Sequence, residues 1–309
     1  MWDEDDALSH LLDPLRLRGA YVSDWRLRSG WGVQGDPEPR ALLHYMLEGT
    51  GTILLPGEPP RPLGAGDLAI FPRGAAHVIC EDTAATPRTI AELLPDRAPG
   101  EVGRLELGDG PAVGRMLCAG LDYTPDTEYP VYRTLPDVLV LRAAEIEAQP
   151  PMAHALAGLM AEFETRGSGT KAVLLRNFEM VFVLGLRATL MAIEPPVPMS
   201  RALAHPSIGR ALIAIYEDYS RPWTVPALAE VAAMSRSSFT RTFKDIVGES
   251  PGRHLKRHRL SEARRLLGTT QDPHDVIARK VGYQSAVGLH LAFREEYGAA
   301  PGAVRRAAV

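Results

Sequence analysis

Cysteine is nearly absent. Two cysteines in 309 residues, Cys80 and Cys118, cannot build a disulfide framework, so a reducing compartment, the cytoplasm, is expected. Long apolar runs are missing as well. The longest uncharged one in the helical-looking part is Met180 to Leu186, closed by Glu179 and Arg187, against the ~20 residues a membrane span needs. No membrane partner is therefore expected. The start, Met-Trp-Asp-Glu-Asp-Asp, has none of the basic-then-apolar character of a secretory signal. Phosphate loops, Gly-x-Ser-x-Gly and His-Glu-x-x-His are also lacking, which removes the commonest nucleotide, hydrolase and metalloprotease signatures. What remains is 45% hydrophobic and 23% charged, an ordinary folded composition. It excludes a disordered, collagen-like or coiled-coil chain, and the length suggests about two domains.

The net charge of −4 conceals an asymmetry. Residues 205–309 hold 16 Lys and Arg against 10 Asp and Glu, a net of +6, while the preceding 204 residues carry −10. Such a split suits a basic module for an anionic partner joined to an acidic module with another task.

Three textures follow one another. The first ~130 residues are rich in Gly and Pro. Ala7 to Arg18 has helical spacing, and the strand-like runs are Tyr21–Leu27, Ala41–Leu47, Thr50–Leu55, Asp67–Phe71, His77–Cys80, Thr89–Leu94 and Arg115–Ala119. Short strands parted by turn signals predict a sandwich or small barrel. Leu135 to Ile146, Met152 to Thr165 and Lys171 to Ile193 read as helical. The last is apolar on most faces, so its expected neighbours are other helices or a second subunit. Glu194-Pro-Pro-Val-Pro then reads as a stiff linker. Beyond it all is helix, with caps expected at Ser207, Thr224, Ser235, Ser250, Asp272 and Ser285.

The helical end repeats itself. Ser235, Phe243, Gly248, Pro251 and Gly252 recur fifty residues on as Ser285, Phe293, Gly298, Pro301 and Gly302, and Leu228-Ala229 matches Ile277-Ala278. Each copy is a short helix, a tight turn and a Ser-capped helix, hence two helix-turn-helix motifs. The segments Trp223–Lys244, Gly248–Gly252, Arg259–Leu267, Ile277–Ser285 and Ala292–Pro301 resemble the AraC/XylS family of transcription regulators. The resemblance implies promoter DNA as partner, with both recognition helices in successive major grooves, and RNA polymerase as a further partner. On the first helix Arg236, Ser237, Thr240, Arg241 and Lys244 face outward. Arg241 suits bidentate reading of guanine and Lys244 suits phosphate. The equivalent second face is Ala286, Val287, His290, Leu291 and Arg294, where family members commonly carry a basic residue in place of Leu291. It offers contact to thymine methyls but little guanine readout, or else packing against another protein. Ala233 stands where the family usually has glycine.

Gly66-Asp-Leu-Ala-Ile-Phe-Pro-Arg-Gly-Ala-Ala-His77, preceded by Tyr45-Met-Leu-Glu-Gly-Thr-Gly, resembles the cupin sensor domain of AraC-type regulators. Asp36-Pro-Glu-Pro lies where a metal cupin has its histidine pair. His44, by strand alternation, and His77 should point into the barrel with Cys118. The three form an expected effector pocket for a small molecule, and two His with one Cys also suit a divalent metal such as zinc, with Cys80 a weaker fourth candidate. Tyr21, Trp25, Trp31 and Phe71 are assigned to the core, and Glu230 and Glu262 to helix surface.

The expected fold class is α+β multidomain. A cupin-like β-barrel spans 1–133, a helical linker or dimerisation segment 134–195, and an all-α double helix-turn-helix domain 205–306. The expected function is a homodimeric, effector-responsive transcription regulator with no catalysis and no required cofactor. The alternatives are a cupin metalloenzyme fused to a DNA-binding domain and a ligand-independent regulator controlled by abundance.

Overall fold

The computed structural model describes residues 17–93, 102–122, 135–165, 167–192 and 205–307. The expected helix at 7–18 and the 194–198 linker fall largely outside them. Strands are β1 (Arg18–Arg28), β2 (Gly32–Gly35), β3 (Ala41–Glu48), β4 (Thr50–Leu54), β5 (Arg61–Gly64), β6 (Leu68–Phe71), β7 (His77–Cys80), β8 (Arg88–Thr89), β9 (Val102–Leu107), β10 (Ala112–Asp122) and β11 (Leu139–Leu141). Helices in the same half are α1 (Ile90–Leu93), α2 (Ala143–Glu147), α3 (Pro150–Thr165) and α4 (Thr170–Ala192). The other half has α5 (Pro206–Glu217), α6 (Val225–Val231), α7 (Arg236–Val247), α8 (Pro251–Thr269), α9 (His274–Lys280), α10 (Ala286–Tyr297) and α11 (Pro301–Ala307). Among the described residues no helix is long and apolar enough to cross a membrane.

The chain divides into two compact units. One contains Arg16–Pro125 and Leu135–Thr189, and the other contains Leu190–Val309. In the first, a six-stranded sheet ordered β11-β6-β3-β10-β1-β9 faces a five-stranded sheet ordered β5-β4-β7-β2-β8. Alternation along the strands sends Trp25, Leu42, Met46, Phe71 and Met116 inward from the larger sheet to meet Val33, Ile53, Leu63 and Ile79 from the smaller. The other face of the larger sheet is also buried, through Val22, Leu43, Ile70 and Leu117.

Helices α3 and α4 belong to this unit. Glu179 on α4 accepts the Gly19 N–H at 2.8 Å, and a methyl group on Gly185 would strike the Ile70 side chain at 2.3 Å. The Arg115 guanidinium lies over the Phe163 ring of α3. Leu174, Phe178, Val181, Phe182 and Leu186 are fully buried within one chain. The near-uniform apolarity of 171–193, which suggested helical or subunit neighbours, therefore includes packing onto a sheet face.

Two local expectations are corrected. Leu139–Leu141 lies in a run read as helix, yet pairs with β6 as a strand. The strand expected at Thr89–Leu94 gives way, in its described part, to a turn from β8 into α1, where Glu92 accepts the Thr89 N–H and Thr89 Oγ1 accepts the Glu92 N–H. Strands β2, β5 and β9 lie outside the expected strand-like runs: β2 is set by its distant partner β7, β5 folds back on the adjacent β4, and β9 lies parallel to β1 with Leu105 and Leu107 buried.

In the second unit Thr224, Ser235, Ser250 and Ser285 cap α6, α7, α8 and α10 as expected, each accepting a backbone N–H three residues on. The cap of α5 is His205, not Ser207, because Pro206 already occupies the first turn. Pro273 rather than Asp272 precedes α9. Gly248 and Gly298 close α7 and α10 in the left-handed conformation, and α11 follows the helix expected to be last.

Candidate functional site

The first site is a helix face. Phe239, Phe243, Ile246 and Val247 anchor α7 from below. That leaves Arg236, Ser237, Thr240, Arg241 and Lys244 lining an open groove, together with Asp245, which the sequence reading omitted. Three cations, two hydroxyls and one carboxylate give donors for guanine and phosphate and one acceptor for a cytosine amino group. The turn before α7 holds Ala233 at φ 52°, the only described non-glycine residue with positive φ. The repeat places Gly282 at the same point, where φ is +82° and a methyl group would meet Ser220 O at 2.7 Å. Ala233 is exposed, and its left-handed backbone carries the conformational cost of a side chain at positive φ. Ala233→Gly should stabilise the unit by about 1 kcal/mol, read as a rise in thermal midpoint with DNA affinity unchanged.

The second recognition helix, α10, stands on Leu289 and Phe293. Val287, His290, Leu291 and Arg294 are exposed and Ala286 is half-buried. Its two carboxylates turn toward α8, where Glu295 meets Lys256 at 2.7 Å and Glu296 meets Arg257 at 3.4 Å.

Helix α8 joins the motifs through groups that a sequence reading takes for solvated surface. His254, Arg257, His258, Ser261 and Glu262 are buried, so Glu262, assigned to the surface, is corrected; it pairs with Arg265 at 2.8 Å. Glu249, just past α7, accepts from His254 Nδ1 at 3.1 Å and from Arg257 Nη1 at 3.4 Å. Burial pushes the Glu249 carboxyl up, but the hydrogen bonds and charges of His254 and Arg257 outweigh it and hold it below the usual carboxylate range. His254 faces the Tyr216 hydroxyl through its other nitrogen at 3.0 Å. Arg257 thus touches Glu249 of the first motif and Glu296 of the second.

The second site is a cavity in the sheet unit. Its walls include His44, His77, Cys118, Glu38, Tyr21 and Trp25, with Val33, Leu42 and Ile79. The free volume is about 20 Å³, room for one water molecule. Register explains the convergence: His44 lies opposite Cys118 across β3 and β10. Glu38 reaches the wall because its N–H bonds Gly74 O; Gly74 sits at φ +59° with its missing side chain directed at the Glu38 and Arg40 carbonyls. Trp25 and Trp31 belong to the core as expected, with Tyr21 packed against it; Trp25 and Tyr21 also line the cavity, and Phe71 stacks on His77 with ring centres 3.8 Å apart.

The contacts fix one direction of hydrogen bonding. Ala75 O can only accept, so His77 Nδ1 donates to it at 2.7 Å. His77 Nε2 then accepts from His44 Nε2 at 3.2 Å, and His44 Nδ1 accepts from the Cys118 thiol at 3.0 Å. Burial favours neutral His77, outweighing the Ala75 carbonyl and the Glu38 charge, and lowers its pKa. The same geometry disagrees with the zinc expectation. Cys118 approaches one nitrogen of His44 and His77 the other, so the donors do not converge on one point. Among the described residues no group of three or more His, Cys, Asp or Glu is placed to hold a metal. Cys80 lies elsewhere, its thiol facing Thr52 O at 3.7 Å.

Comparison with known proteins agrees with this division. Residues 6–191 match the protein family described as Cupin, and residues 228–307 match the family described as Helix-turn-helix domain. The chain is 29% identical over 307 residues to the HTH-type transcriptional regulator MtrA of Neisseria gonorrhoeae, covering 97% of this chain and 98% of that protein. It is 26% identical to the HTH-type transcriptional regulator AlkR of Acinetobacter baylyi, covering 96% and 97%. It is 27% identical to the RCS-specific HTH-type transcriptional activator RclR of Escherichia coli K12, covering 79% and 87%.

Proposed function

Since the chain belongs to the cupin family and is an AraC-type DNA-binding transcriptional regulator, we propose that it is a cytoplasmic one-component switch whose cupin cavity receives a small molecule and whose α7 reads promoter DNA. The observation that carries the DNA reading is the cation-lined groove of Arg236, Arg241 and Lys244. Arg241 takes the base-reading role and Lys244 the phosphate role. Arg236, Ser237 and Thr240 supply the remaining first-helix contacts, while Ala286, Val287, His290 and Arg294 form the second face. Specific binding then weakens steeply with salt through counterion release. Arg241→Ala should cost about 1–3 kcal/mol on the specific site and relax choice at one base pair. Lys244→Ala should weaken specific and random duplexes alike. Gel shifts with the full chain test both, and equal loss on random DNA for Arg241→Ala removes the base-reading role.

The effector is a compact, mainly apolar molecule that contacts His44, His77 and Cys118. With room for only about one water, its entry must open the cavity, which gives it the unequal affinity for two states that any switch requires. The chain acts as a homodimer through the helical segment, where Val173 and Met180 of α4 remain 44% and 46% exposed, and sedimentation of the full chain as a monomer at micromolar concentration would contradict this. RNA polymerase is the partner at the promoter. The polar groups of the cupin cavity are given a ligand-contacting role, since His44, His77 and Cys118 hydrogen-bond one another in one chain of contacts.

A further inference from the structure

We infer that the second recognition helix reads thymine through its methyl groups, so that Val287 and Leu291 specify a thymine-bearing half-site. This rests on the DNA-binding reading above. Helices α7 and α10 share one frame. Each has a serine cap accepting from the third residue on, at 3.3 Å for Ser238 and 3.1 Å for Gly288. Both also bury an apolar side chain at the same two positions, Phe239 and Phe243 on α7 and Leu289 and Phe293 on α10, and both end in a left-handed glycine. Within that frame Val287 stands where Ser237 does, Leu291 where Arg241 does and Arg294 where Lys244 does. The cation at the phosphate-facing position is kept, while the base-facing pair has become aliphatic.

The exposure of that pair is unusual. Val287 is 68% and Leu291 64% exposed, and among the described residues of this unit they are the only large hydrophobic side chains so exposed. They lie four residues apart, hence on one stripe of the helix. The carboxylates of the same helix are held by Lys256 and Arg257 on α8. What remains on the outward face is aliphatic surface, one imidazole and one guanidinium, which suits a polyanion.

In the major groove the thymine C5-methyl is the one apolar group on a base edge. Opposite guanine or cytosine, an aliphatic side chain would strip water from polar edges without replacing their hydrogen bonds. Opposite thymine it covers a methyl. A buried methyl or methylene contributes enough to change affinity about three- to fourfold, so two thymines give roughly tenfold. His290, between the two aliphatic positions, can hydrogen-bond an adjacent acceptor edge.

Uracil tests this directly, since it pairs as thymine does and lacks only the methyl. Duplexes selected by the full chain from a random pool should carry preferred thymines in one half-site. Replacing the two thymines that face α10 by uracil should weaken binding about tenfold, and the same exchange in the half-site facing α7 should change it less than twofold. The Val287→Ala/Leu291→Ala chain, altered only at exposed positions, should bind thymine and uracil duplexes equally. Unchanged affinity of the native chain for the uracil duplex, with salt-dependent specific binding intact, overturns the inference and leaves the DNA reading standing. Selected sites with no thymine preference in either half also overturn it. Failure of the full chain to select any duplex overturns the DNA reading itself, and this inference with it.

Discussion

Arg257→Ala should destabilise the DNA-binding unit by about 3–5 kcal/mol, the usual cost of removing one partner of a buried ion pair. Arg257 is 6% exposed and lies 3.4 Å from both Glu249 and Glu296. Truncation leaves two largely buried carboxylates short of their shared cation. Against a typical domain stability of about 5–15 kcal/mol, that brings the unit close to unfolding, and DNA binding should fall with it. Arg253 provides the control. It approaches the same Glu249 at 3.7 Å, but its side chain is 68% exposed, so Arg253→Ala should cost no more than about 0.5 kcal/mol. Urea denaturation followed by helical circular dichroism separates the two variants, and equal midpoints would show that Arg257 does not hold the motifs together.

Acid should unfold the same unit through His258. This residue is packed edge-on against the Tyr216 and Tyr219 rings, with centres 5.0 Å away in each case. Burial, reinforced by the positive charge of His254 and Arg259, lowers its pKa from 6.5 to about 3. The folded form therefore binds the proton less readily than the unfolded chain. Its contribution is present in full above pH 6.5 and is lost as pH falls from there toward about 3, at up to ~1.4 kcal/mol per pH unit. Glu249, held below its ordinary 4.5, adds a loss of the same sign in more acid solution. Stability measured between pH 7 and 4 should fall less steeply for His258→Gln than for the native chain. Parallel profiles would mean that other groups carry the acid sensitivity.

Much of the second unit is legible because its information is local. A serine or threonine ahead of an apolar pattern caps a helix within four residues, and the repeat checks each boundary twice. Pro206 could have moved the first cap from Ser207 to His205, since proline favours the first turn. The recognition face of α7 follows from spacing alone. The network of α8 does not, because Arg257, His258 and Glu262 look like an ordinary polar face until α7 and α10 close over them. In the sheet unit the gathering of His44, His77 and Cys118 was visible from strand alternation and one motif. Glu38, Tyr21 and Trp25 were not, because their places depend on a loop turned by Gly74 and on the pairing of β1 with β10. Strand β11 shows the same limit, since its three residues are set by β6, which lies some seventy residues earlier.

The Arg257 bridge has a consequence for promoters. Helix α8, nineteen residues and hence roughly 28 Å long, acts with its ion pairs as a caliper whose jaws are α7 and α10. A single base pair inserted between the two half-sites carries one of them roughly 3.4 Å along the duplex and a tenth of a turn around it. The jaws cannot follow without pulling Glu249 or Glu296 away from the guanidinium between them. On the proposed docking of both helices, promoters answering to this protein should be held to one spacing and one rotational phase, and should tolerate substitution far better than insertion or deletion.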